Sequence, residues 1–337
     1  MTANKSTIAL TFTEPVAYPP TLIEIIQLVY ELPFLFLNIT FFIFMLVSIF
    51  KSKKEFENPF YILICANTFV SIEIFFQTIF FVKFPKWGLL QSFFMENNFF
   101  STLDFYFAHV TVFYIANSAA IANINRLTAI VFPMRYSLMW TKKNVKIILL
   151  IDVIICLCYE CHPLFIGARY YVSEDSGILY SDMTPIPIVE TFMIKEFFQY
   201  TIITIIVVVI TGINVFTVRK EKNWSSGAKK KLEKTFLYYS LSSCFGLILL
   251  EIFFSMRFMA TIFQSPDMSI LSLEFYTYVM DLVTFIDVIM FLLVSANMRA
   301  NYLNFWFNYM PKPIAEAFSR SKVTGAPSRF GKSVVVD

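Results

Sequence analysis

Nine ionisable side chains of this 337-residue sequence fall inside long apolar runs: Glu73, Asp104, His109, Asp152, Glu160, His162, Glu251, Asp281 and Asp287. A charge in such surroundings is costly unless it faces a cavity or a partner, so each is a candidate functional group. Spacing groups them further. Thr102, Tyr106, His109 and Phe113 recur at i, i+4, i+7 and i+11, which is one face of a helix. Asp281 shares a face with Tyr278 and Phe285. Aromatic walls carrying a few polar groups suit a small-molecule site. Tyr106, His109, Phe113, Glu251, Tyr278 and Asp281 are therefore expected to contact a ligand. The acidic excess favours a cationic or hydrogen-bond-donating ligand, a preference that protonation of the carboxyls would erase. Asp152 and Asp287 lie deeper and read as hydrogen bonders between helices. The competing reading for all of these groups is that polar side chains simply glue a helix bundle.

Cys158-Tyr159-Glu160-Cys161-His162 matches C-x-x-C-H, the pattern of covalent haem attachment, and the same residues with His109 offer metal ligands. The match sits in a hydrophobic helix, where short patterns recur by chance, and neither a metal nor another cofactor is expected. There is no H-E-x-x-H, G-x-S-x-G or P-loop pattern. His109 and His162 are the only histidines, too few for a multi-histidine intramembrane hydrolase. No enzyme is expected. The last apolar run lacks the Lys that retinal binding requires. All five cysteines lie in apolar runs, so no disulfide joins the loops.

The elements that must position these groups follow from hydropathy. Hydrophobic residues make up 57% of the chain and charged residues 15%, both beyond soluble values in the membrane direction. Crossing the hydrocarbon takes about 20 apolar residues. Seven runs qualify: Leu32 to Phe50, Phe60 to Val82, Thr102 to Ile124, Val145 to Phe165, Phe197 to Val218, Thr235 to Phe258 and Phe275 to Val294. The first has an unclear start and reaches back as far as Leu22 on one reading. None alternates as a barrel strand would, so the fold class is an all-α membrane protein, a seven-transmembrane helix bundle. The short, polar stretch Phe93 to Phe100 reads as the lead-in to the third helix. The domains are an N-terminal segment 1–31, the bundle 32–294 and a tail 295–337 with a surface helix near 301–310.

Of the 27 Lys and Arg, 21 fall in the first, third and fifth interhelical loops and the tail. That bias sets this side in the cytoplasm, with the N-terminus outside and the C-terminus cytoplasmic. Asn4-Lys5-Ser6 is then an external glycosylation sequon, and Asn223-Trp224-Ser225 an internal one that stays unmodified. Lys and Arg of the inner loops also attract anionic membrane lipids. No nucleic-acid partner is expected.

The clearest motif runs from Asn125-Arg126-Leu127-Thr128 through Phe132-Pro133-Met134-Arg135-Tyr136. It resembles the N-R-x-T-x-I-x-F-P-x-x-Y stretch at this place in nematode serpentine chemoreceptors of class gamma, the Srg family. The resemblance is specific over about 16 residues, and the helix count, basic inner loops and length extend it more weakly. It implies a chemosensory receptor of sensory-neuron membranes, signalling through a heterotrimeric G protein. It also implies a plasma-membrane location, with sensory cilia as the family's site. By its place in the motif, Arg126 would be the arginine that faces the G protein on activation, and Pro133 would shape the second inner loop. Arg135, Arg219 and Lys230 join Asn125, Arg126 and Pro133 as the expected coupling set. Independently, Arg126 is able to snorkel to the interface and pair there. The sequence departs from the large rhodopsin-like class. Asn125 replaces an acid, the seventh helix lacks N-P-x-x-Y, and the sixth lacks Pro, although Gly246 offers a loose point.

The expected function is that of a G-protein-coupled chemoreceptor for an external small molecule. The rival is a seven-helix ligand-gated cation channel or carrier whose acidic groups line an ion path. The loop from Gly167 to Glu196 is long enough to lid an outer cavity.

Overall fold

The computed structural model describes residues 17, 19–51, 56, 58–172, 179–183, 186–220 and 228–309, without the side chains at 182, 186–190, 228–234, 266, 270 and 309. Asn4, Asn223, the side chain of Lys230 and everything beyond 309 lie outside the described residues. Among the described residues, seven helices are long and apolar enough to cross a membrane. They are α1 (Leu22–Phe50), α2 (Phe60–Gln77), α5 (Asn98–Val131), α7 (Lys142–Tyr159), α9 (Ile186–Lys220), α10 (Ala228–Phe263) and α11 (Pro266–Val294). Short helices link or extend them: α3 (Phe84–Lys86), α4 (Gln91–Glu96), α6 (Pro133–Met139) and α8 (His162–Ile166). After α11 the chain breaks at Ser295 and continues as α12 (Ala296–Tyr309).

Five of the expected runs lie within one longer helix each; the run from Phe60 passes from α2 into a π-helical turn at Thr78–Lys83, and the run from Val145 breaks at Glu160 between α7 and α8. A helix keeps its ladder of hydrogen bonds past the point where hydropathy falls. One extension is in α1, which starts at Leu22 because Thr21 and Glu24 form a capping box there. Pro33 lies within this helix, and the N-terminal segment is correspondingly shorter than 1–31. Phe93 to Phe100 is not a continuous lead-in. Asn97, with φ −121° and ψ 70°, separates α4 from α5. The helix expected near 301–310 is part of α12, which begins at Ala296.

Two strands were not legible in the hydropathy. β1 (Ala168–Val172) and β2 (Leu179–Met183) pair antiparallel, with Ala168 opposite Met183. The hairpin is pinned to α5. Ala168 N donates to Thr102 Oγ1 at 2.9 Å, and the Ser101 and Ser181 hydroxyls are hydrogen-bonded. Phe94, Tyr170 and Leu179 form a small buried cluster beneath it.

Two larger apolar clusters fill the bundle. One joins Phe41, Phe44, Phe60, Phe236, Phe291 and Phe305. The other joins Val112, Phe113, Tyr200, Leu250 and Phe254. Polar links cross between helices. Ser118 donates to Asn67 at 2.5 Å, and Asn67 donates to Tyr239 at 2.7 Å. Asp152 accepts from Asn117 at 3.1 Å and Asp287 from Ser243 at 3.4 Å, so both act between helices as the sequence suggested. Exposed side chains such as Leu150, Ile154, Ile202 and Ile205 leave α7 and α9 with apolar outer surfaces of the kind lipid covers. Gly246 lets α10 approach α11. A Cβ there would lie 3.1 Å from Val283 Cγ2.

Candidate functional site

A chamber of about 540 Å³ opens between α1, α2, α5, α11 and β2. Its walls are mostly apolar, with Phe75, Phe81, Val112, Met280 and Phe285 among them. Its charged groups are two acid–base pairs and two further acids. Lys83 Nζ lies 2.8 and 2.7 Å from the two oxygens of Glu31, with both side chains at least nine-tenths buried. Lys86 pairs with Glu24 at 2.7 Å. Gln77 donates to Asp104 Oδ1 at 3.2 Å, and Tyr30 donates to Asp281 Oδ2 at 2.5 Å. The Lys83 position depends on local backbone. Residues Thr78–Lys83 are π-helical, a form that re-aims the turn after it and often occurs at functional sites. Leu179, Tyr180 and Ser181 of β2, within the loop from Gly167 to Glu196, form part of the wall.

Of the six residues expected to contact a ligand, Asp281 lines this chamber and the other five do not. Tyr278 is 48% exposed on the flank of α11, while Leu273, Tyr276, Met280 and Thr284 form that helix's chamber face. Glu251 accepts from Thr201 on α9 at 2.5 Å. Phe113 packs its ring against Tyr159, and Tyr106 donates to Leu157 O at 3.1 Å. These residues on α5 face α7 and α9, on the opposite side from Asp104 and Thr111. Helical spacing identifies residues that share a stripe, but neighbouring helices decide which stripe meets a cavity.

His109 belongs to a separate polar cluster. Its Nδ1 lies 2.6 Å from Phe105 O, and its Nε2 lies 2.7 Å from Glu196 Oε1. His162 stands edge-on to it with ring centroids 5.2 Å apart. Glu160 accepts from Lys195 at 3.0 Å and from Gln199 at 2.9 Å. Cys158, by contrast, is exposed away from this cluster, so the C-x-x-C-H residues do not converge as a haem-attachment motif would.

Arg126 lies 22 residues along α5 from Asp104, roughly 33 Å at 1.5 Å per residue. It is 5% exposed. Its guanidinium carbon sits 4.3 Å from the centroids of both Phe60 and Phe236, and it donates to Asn125 Oδ1 at 2.5 Å. Tyr136 donates to the same oxygen at 3.3 Å. The head is therefore caged between aromatic rings rather than extended to the interface, because Phe60 and Phe236 offer negative ring faces on either side. Pro133 opens α6 after a break at Phe132. Trp140 Nε1 donates to Thr128 at 2.6 Å and folds α6 back onto α5. Arg135 and Arg219 are exposed at this end.

Glu24, Glu31, Lys83 and Lys86 are charged chamber residues that sequence reasoning missed. The signal was present but faint. Glu31 sat at the unclear start of the first helix and Lys83 just past the end of the second. Pairing one with the other required the fold.

A seven-helix bundle with a ligand-sized chamber at one end and a caged arginine at the other defines a multi-pass serpentine membrane protein. Comparison with known proteins carries this further. The model of Srg family chemoreceptors matches residues 24–302. The serpentine receptor class gamma-13 of Caenorhabditis elegans is 23% identical over 287 residues, which covers 82% of each chain. The chain belongs to the Srg chemoreceptor family.

Proposed function

We propose that this chemoreceptor binds an external small molecule in the chamber between α1, α2, α5 and α11, and activates a heterotrimeric G protein at the Arg126 end. The observation that carries the reading is the chamber itself. Its volume of about 540 Å³ falls within the roughly 300–1,000 Å³ of small-molecule pockets. In this reading the hairpin end faces outward and the Arg126 end the cytoplasm, in line with the bias of Lys and Arg. Asp281, Glu31 and Lys83 are the polar contacts. Two lysines offset the acidic excess, so the ligand is an apolar molecule with one polar group able to compete for the Lys83–Glu31 pair.

The mechanism is a population shift. Ligand affinity that differs between two helix arrangements favours one of them. Release of Arg126 from Phe60 and Phe236 then opens the other end. Met134 and Leu138, 88% and 74% exposed on α6, supply an apolar surface beside Arg135 for the G protein. The plasma membrane is the proposed location, with sensory cilia as its specialised site.

The test is nucleotide exchange on a co-reconstituted G protein, driven by a panel of small odorants and water-soluble metabolites. Ligand-dependent exchange is expected. Arg126→Ala abolishes exchange while ligand-induced thermal stabilisation persists. A folded receptor that gives current but no exchange would favour the channel reading.

A further inference from the structure

Outside the chamber, three elements bring His109 of α5, His162 of α8 and Glu196 of α9 to one point, with one ligand atom from each within 4.8 Å of the others. We propose that these residues form a two-histidine, one-carboxylate site for a divalent transition metal of the zinc type. Two imidazoles and a carboxylate are a donor set that zinc takes, with a fourth position left for water or another ligand.

The geometry offers more than proximity. His109 Nδ1 lies 2.6 Å from Phe105 O, so that nitrogen carries the proton and Nε2 turns to the site. This is the outer hydrogen bond that orients a metal-bound histidine. Glu196 Oε1 is buried 2.7 Å from that Nε2, its charged contact at this point. Neither ring nitrogen of His162 has a hydrogen-bond partner, although both are buried. Unpartnered buried polar atoms are costly, and a metal satisfies them. The His162 ring is already held in plane by Phe192, stacked at 4.0 Å.

The surrounding charges permit a dication. Glu160 lies 3.4 Å from His162 Nδ1 and also binds Lys195 and Gln199. The ammonium of Lys195 is thus paired with Glu160 and lies over Tyr159 at 4.4 Å. One acid remains in excess, that of Glu196. Tetrahedral zinc with bonds of ~2.0–2.1 Å needs ligand atoms roughly 3.3 Å apart. The His109–Glu196 contact at 2.7 Å opens and the His162 ring turns inward to reach that spacing. The bound ion would tie α5, α8 and α9 together, and so favour whichever receptor arrangement keeps these three elements close.

The experiment uses the full chain, purified in detergent and stripped with a chelator. ZnCl2 is titrated by calorimetry and by thermal unfolding, with MgCl2 as the hard-cation control. One zinc per chain with micromolar or tighter affinity is expected, together with a rise in unfolding temperature that magnesium does not give. His162→Phe keeps the ring stack and removes both nitrogens. It should match the parent's unfolding temperature in chelator and bind zinc about 100-fold more weakly or worse, beyond the loss typical of an outer-shell change. Glu196→Gln should behave alike. Cobalt should give d–d bands without a thiolate charge-transfer band, and Cys158→Ser with Cys161→Ser should change nothing. Zinc binding that survives His162→Phe, a thiolate band, or no saturable zinc binding by the folded parent would overturn the site.

Discussion

Lys83 and Arg126 are both buried cations, yet the bundle neutralises them in opposite ways. Lys83 meets a full opposite charge, Glu31, on the wall of an open chamber. Arg126 meets two aromatic faces and an amide oxygen in a closed interior. A solute entering the chamber is able to compete for the first pair directly. The second cage consists of side chains from α2 and α10, so it loosens only when those helices separate from α5. Under the proposed function, the difference suits one end to sensing and the other to a latch that opens by helix movement.

The largest expected effect comes from splitting the ion pair. Lys83→Met leaves Glu31 buried without a counter-charge, a loss of about 3–5 kcal/mol, read as reduced surface expression and earlier thermal unfolding. Restoring balance with Lys83→Met plus Glu31→Leu should recover most of that stability. If the single variant is as stable as the parent, the chamber pair is solvated and the contrast with Arg126 fails.

Tyr30→Phe should follow, removing the hydrogen bond to Asp281 at 2.5 Å. Hydrogen bonds to charged groups contribute about 1.5–3 kcal/mol. The effect belongs to the chamber, so ligand affinity should change while basal nucleotide exchange stays constant. A change in basal exchange alone would show that the two ends are not separable in this way.

Phe236→Leu tests the other end. It keeps bulk but removes one ring from the guanidinium, costing about 1–2 kcal/mol of cage stabilisation. Basal exchange should rise by about 5- to 30-fold with ligand affinity nearly unchanged. Exchange that stays at the parent's level would mean the cage is no latch.

Gly246→Ala should do least. The gain in helix propensity, about 1 kcal/mol, opposes crowding against Val283 Cγ2 at 3.1 Å. Thermal unfolding should move by less than about 1 kcal/mol in either direction. A large loss would mark the α10–α11 contact as rigid rather than adjustable.

Much of this molecule was legible from its residue order. Seven runs of about 20 apolar residues dictate seven helices, because a backbone in lipid must satisfy its own hydrogen bonds. The motif from Asn125 to Tyr136 identified the family. Asp281 was legible as a chamber acid because a carboxyl within an apolar run needs a partner or a cavity. The remaining contacts depend on the rotation of each helix about its own axis, and hydropathy says little about that. His109 and Asp104 lie less than two turns apart on α5, yet one faces Glu196 on α9 and the other the chamber. Lys83 reaches Glu31 across 52 residues by way of a π-helical turn. Arg126 is caged because Phe60 and Phe236, on helices far apart in sequence, meet around it. Local hydropathy and backbone hydrogen bonding set the spanning elements. Only tertiary packing, acting between distant residues, chose which polar groups meet.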